Sequence, residues 1–288
     1  MFEVFQFEFM RNALAAGILA SVVCGLIGTF VVVNRIVFIS GGIAHSAYGG
    51  IGLAFFLGLS PLLGILGFSL AVALVMAGVN LRARERADTV IGVLWAVGMG
   101  MGVILIDLTP GYNVDLMSYL FGSILVVPRS DLYLMVALTG VIFLAVGYFY
   151  RDFVALSYDE EFARLRGVPV ARLYVLLMVL IALSVVLIIR VVGLILVIAL
   201  LTIAPYITER YARSLGRMIV LSIGLNVIFT MAGLALAYRF NLTSGAAIIL
   251  VAAAGFFLSF GLERLRGRSV RLEARARDAE GSPHVPSV

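Results

Sequence analysis

Stretches of about 20 apolar residues, repeated along almost the whole sequence, limit this chain more than any other feature. A hydrocarbon core of about 30 Å takes about 20 residues of helix to cross. Segments of that kind fall at 11–33, 38–58, 61–80, 89–107, 131–149, 172–189, 191–209, 217–238 and 244–262. Inside a bilayer every backbone N–H and C=O must find a partner within the protein, so such segments are helices. The expected fold is therefore an all-α polytopic membrane protein with about nine transmembrane helices. Of its 288 residues 62% are hydrophobic and 13% are charged, too few polar groups to cover a soluble domain of this size. Disorder is excluded by the same numbers. The N-terminus, MFEVFQFEF, is acidic and does not read as a secretory signal.

The stretch 114–127, VDLMSYLFGSILVV, is too short to span easily, the alternative being a tenth span. It lies between the turn-forming Thr109-Pro110-Gly111-Tyr112-Asn113 and Pro128, and reads as a re-entrant or interfacial half-helix. Arginine placement supports this. If linker 150–171 is inside and 114–127 does not cross, Arg35, Arg82, Arg84, Arg86, Arg151, Arg164, Arg166, Arg172, Arg210, Arg213, Arg217 and the six arginines after residue 263 all lie inside. Only Arg11, Arg129, Arg190 and Arg239 lie outside. This is the positive-inside pattern, with the N-terminus outside and the C-terminus in the cytoplasm. Residues 1–263 thus form the membrane domain. Residues 264–288, Arg-rich and then Gly/Ser/Pro-rich, are expected to be a disordered cytoplasmic tail.

All 21 basic residues are Arg; the chain has no Lys. A Walker A phosphate loop requires a Lys, so ATP, if used, is hydrolysed on another chain, and no enzymatic site is expected here. The net charge of +5 reflects membrane orientation, not nucleic-acid binding. Cys24 is the only cysteine. It stands in an apolar run and reads as a small core side chain.

Few residues inside the spans carry chemistry. His45, in SGGIAHSAYGG, is an ionisable group within a membrane helix, a position that marks either a transport path or a hydrogen bond to a neighbouring helix. Asp107 closes the fourth span and Asp115 opens the half-helix. Both are expected at the outer mouth, as cation-attracting carboxylates or as solvated helix ends. Gly98 and Gly102 form a GxxxG pair, a sign of close helix packing. On the Arg-rich side, the run from Asp159 to Arg166 suits a short helix with acids at its start. Gly167 is placed to cap it.

Glu161-x-Ala163-x-x-x-Gly167 resembles the coupling loop of ABC importer permeases. IAHSAYGGIGLAFFLG, DTVIGVLWAVGMGMGVIL, DLMSYLFGSILVV, DEEFARLRGVPVARL with VVGLILVIALLTIAP, and LTSGAAIILVAAA follow one another as in the zinc and manganese importer permeases, the ZnuB/MntB-like family. The resemblance covers about residues 10–263. It implies a prokaryotic inner-membrane subunit that works as a homodimer by alternating access. A separate cytoplasmic ATPase and an extracellular or periplasmic metal-binding protein would be its partners. It implies coupling roles for Asp159, Glu161, Ala163 and Gly167, places the transport-path histidine at His45, and puts the outer gate near 108–130. The cargo would be a divalent metal, zinc first and manganese next, with no resident cofactor. Many members carry Asp four residues before that histidine, where this chain has Gly41. A hard carboxylate suits manganese, so its loss weighs toward zinc. The other readings are a metal-chelate (siderophore or cobalamin) permease, usually longer by one span, and an ATP-independent secondary carrier, which would be expected to carry more mid-membrane acids.

Overall fold

The computed structural model describes residues 7–110, 122, 124 and 127–280. These residues form eleven α-helices, joined mostly by short turns. They are α1 (Glu8–Val33), α2 (Val37–Phe56), α3 (Pro61–Arg82), α4 (Ala87–Asp107), α5 (Arg129–Tyr148), α6 (Tyr150–Tyr158), α7 (Glu160–Leu165), α8 (Val170–Val192), α9 (Leu194–Glu209), α10 (Leu215–Phe240) and α11 (Ser244–Glu280).

Eight of these are long and apolar enough to cross a membrane. The ninth expected span is a shorter apolar helix, α9, of 16 residues. The apolar run 191–209 is interrupted at Gly193, whose φ of +81° and ψ of 167° end α8 and start α9 in a single residue. Only glycine enters that region of backbone space readily.

The centre and the rim differ in side-chain size. In α1 and α2, 78% of the most apolar stretch is buried, against 17% in α5. Outward faces carry large apolar groups such as Ile104, Phe143, Leu144, Val220, Leu250 and Phe257. Lipid solvates such faces where water would not. Inside, small residues bring backbones together. A Cβ added to Gly98 would lie 2.6 Å from the Ser46 Cα, and one on Gly102 would meet the Tyr48 carbonyl at 2.5 Å. The GxxxG pair is therefore consumed in packing α4 onto α2 within the chain. Buried hydroxyls and an amide tie α1, α9 and α10. Ser21 Oγ lies 3.1 Å from Thr230 Oγ1, Thr208 Oγ1 lies 2.6 Å from Ser222 Oγ, and Asn226 Nδ2 donates to the Leu200 carbonyl at 3.0 Å.

Two faces can be told apart. On the Arg-rich face, a cleft of about 320 Å³ is lined by Asn34, Phe38, Asn80, Asp88, Glu160 and Tyr174 among others. It gathers the ends of α1 and α3, the starts of α2, α4 and α8, and α7. On the opposite face Arg129 pairs with Glu8 at 2.6 Å, and Asn12 Nδ2 donates to the Val127 carbonyl at 3.2 Å. Helix α4 starts at the Arg-rich cleft and its 21 residues carry it about 31 Å to the opposite face. The connection between Asp107 and Arg129 thus begins and ends on one face. Most of the expected half-helix 114–127, including Asp115, lies outside the described residues. Gly122, with φ +66°, packs against the backbone of Val192 and Gly193 so closely that a Cβ there would overlap it.

Helix α11 runs beyond its membrane part to Glu280, through the Arg-rich stretch after residue 263. Arg, Leu, Ala and Glu are strong helix formers, and a helix already nucleated in the bundle extends through them at little further cost. Residues 281–288 lie outside the described set.

Candidate transport path and coupling surface

His45 sits in the middle of α2, on the face that α4 covers. The spacing explains the pairing. Ile91, Trp95, Gly98 and Gly102 recur at helical intervals on α4, and an added Cβ at Gly42 would meet Ile91 Cγ2 at 2.5 Å. In this register the His45 imidazole stacks on the Trp95 indole, with centroids 4.0 Å apart and ring planes 11° from parallel. Phe38 flanks the indole at 6.0 Å. His45 Nδ1 is buried with no hydrogen-bond partner. An orphaned buried polar atom costs about 1–3 kcal/mol, a cost that a bound cation would relieve. Gly41, one turn earlier on the same face, leaves room: a Cβ there would meet Ile198 Cδ1 at 3.5 Å and Trp95 Cζ3 at 3.8 Å.

Asp107 does not join His45. It is exposed at the end of α4, twelve residues beyond Trp95 and so about 18 Å farther along the helix. No group of three or more His, Cys, Asp or Glu side chains able to hold a metal occurs among the described residues. The single-chain site is therefore one imidazole in an aromatic and aliphatic setting. Sequence reasoning missed Trp95 and Ile198. The available signal was a lone tryptophan one turn before Gly98, on the small-residue face.

The second constellation is the short helix α7. Asp159 takes an extended conformation and its Oδ1 accepts the Phe162 N–H at 2.9 Å, capping the helix. Glu160 and Arg164 pair at 2.5 Å across one turn. At the other end the Gly167 N–H donates to the Arg164 carbonyl at 3.0 Å and the Val168 N–H to the Ala163 carbonyl at 3.1 Å. With Gly167 at φ +78°, this is a Schellman cap. The sequence-predicted helix is therefore present, bounded by the residues expected to bound it. Ala163 is fully buried and seats α7 on the bundle. Glu161 is exposed, as are Phe162 at 52%, Leu165 at 87% and the preceding Tyr158 at 66%. The Arg166 guanidinium lies 5.5 Å from the Phe162 ring centre. A small, rigidly capped helix thus presents apolar and charged groups together on the Arg-rich face, a composition suited to docking a protein surface.

Comparisons with known proteins agree with this architecture. An uncharacterized membrane protein of Synechocystis sp. is 50% identical over 264 residues, covering 92% of this chain and 94% of its own length. The manganese transport system membrane protein MntC of Listeria monocytogenes is 32% identical, covering 88% of this chain and 91% of its own. Among solved structures, PsaBC from Streptococcus pneumoniae in complex with Fab matches with a TM-score of 0.81 at 32% identity, covering 90% of this chain and 94% of that one. The profile of the ABC 3 transport family matches residues 6–263, the whole bundle from the start of α1 to the membrane part of α11, and the chain belongs to that family.

Proposed function

We propose that this chain is the membrane-spanning permease subunit of an ATP-driven importer for a divalent transition-metal ion. The observation that carries the proposal is α7. It is a capped helix seated by Ala163, presenting Glu161, Phe162 and Leu165 on the Arg-rich face, in a chain that has no Lys for a phosphate loop. Under this reading the Arg-rich face is cytoplasmic and α7 meets a separate ATPase there. Two copies of the permease pair, and a metal-binding protein delivers cargo to the opposite face, in the plasma membrane of a prokaryote. Nucleotide binding and hydrolysis in the partner favour one orientation of α7 over another. The bundle follows by alternating access, because only a differential interaction with two states shifts their balance. Asp159 and Gly167 hold the shape of α7, Ala163 its seat, and Glu161 its exposed contact. His45 offers the ion a transient imidazole ligand, and a path must bind weakly enough to release.

Two observations bear on the metal. The MntC relative is named for manganese. The donor found at His45 is a bare imidazole, with Gly41 one turn away, which suits zinc better than the harder manganese ion.

The test is uptake of radioactive zinc and manganese by vesicles holding the permease, its ATPase and its binding protein. ATP-dependent uptake is expected. Glu161→Arg and Gly167→Val are expected to abolish it with permease levels unchanged, and His45→Ala to lower it by about tenfold or more, the scale of a lost metal-site partner. Uptake by the permease alone without ATP would establish a secondary carrier. Uptake of chelated but not free metal would establish a chelate permease.

A further inference from the structure

Trp95 is the only tryptophan in the chain, and it lies flat against His45. An imidazole coordinates a metal through a lone pair in the plane of its ring. A ring stacked on its face therefore fixes the plane and leaves the coordinating edge free. Histidine ligands are usually oriented by a carboxylate or carbonyl on the second nitrogen. Here Nδ1 has no such partner, and position 41 supplies no side chain.

The helices hold the stack in register. Gly98, three residues after Trp95 and on the same face, rests on the Ser46 backbone. Gly49 and Gly52 of α2 approach the backbone of Gly98 and Gly102 in the same way. These close backbone approaches show which residues of α2 and α4 face one another, and in that register the indole is delivered to the imidazole by the packing of α2 on α4.

We propose that Trp95 is a positioning residue of the transport path: its indole sets the plane of the His45 imidazole by stacking, so that the passing cation meets a neutral imidazole edge rather than a carboxylate-backed one. Such a donor favours borderline ions such as zinc over hard ions such as manganese. The inference rests on His45 lying in the path.

Because the tryptophan is unique, the site carries its own reporter. Emission from the full chain in lipid vesicles is read while zinc sulfate is added. The expected result is a saturable change that is absent in His45→Ala. In the complete transporter, Trp95→Leu is expected to raise the zinc concentration for half-maximal uptake by about fivefold, within the range that an aromatic pair contributes. Trp95→Phe, which keeps an aromatic face, is expected to stay within about twofold of the parent. Equal behaviour of the Leu and Phe variants overturns the stacking role. So does an unchanged emission in a permease whose uptake is lost in His45→Ala. Normal uptake by His45→Ala instead removes His45 from the path, and the proposal falls with it.

Discussion

At the scale of single residues, position 41 separates chemistry from packing. A side chain there has space toward Ile198 and Trp95, so Gly41→Asp is expected to fold. It would place a carboxylate one turn from His45 on the same face. The expected outcome is a higher ratio of manganese to zinc uptake in competition assays with both radiometals, since a hard oxygen ligand joins the imidazole. His45 stood out in the sequence as a candidate because an ionisable group inside an apolar run is costly to bury. Its partner did not. Stacking on Trp95 depends on the register between α2 and α4, which is set by which glycines meet across the interface, and a single sequence prints the glycines without the pairing. Asp107 needs no such pairing: it ends a span and is exposed there, about 18 Å along the helix from the level of Trp95.

At the scale of elements, α7 was readable because local chemistry defines both its ends. Asp159 caps its start and Gly167 its finish, and both signals are short-range. Asp159→Ala removes one side-chain cap, a loss of about 1 kcal/mol of local helix stability, and uptake is expected to fall only partly. Ala163→Gln forces a long polar side chain into a fully buried seat, and uptake is expected to be lost, with co-purification of the ATPase measuring whether docking fails as well. The boundary between α8 and α9 was marked in the sequence by Arg190, but the start of α9 at Leu194 emerges only from the backbone angles of Gly193.

At the scale of the whole molecule, topology can be checked without reference to transport. Cys24 is the only cysteine and is fully buried, so single-cysteine probes need only a Cys24→Ala background. Leu108→Cys and Ser130→Cys lie near the two ends of the connection between α4 and α5, both exposed. Both are expected to react with a membrane-impermeant maleimide from outside intact cells, and Tyr158→Cys only after the cells are opened. If 108 and 130 label from opposite sides, the intervening segment crosses the membrane and the orientation of everything after it reverses. The membrane-crossing helices were legible because their length follows from the bilayer's thickness. The order of helices from centre to rim was not, since every span is apolar and only side-chain size tells an interior face from a lipid face.

The single-residue link between α8 and α9 also bears on how the protein is made. At 16 residues, α9 is about 24 Å long, shorter than the hydrocarbon layer it must cross, and its flanks are wrapped by α1, α2, α10 and α11. In the folded chain it follows α8 across the single residue Gly193 and is flanked by α10 and α11. Because α10 and α11 follow α9 in the chain, the walls they give it are made after it, and the last two spans complete the interior as well as the rim.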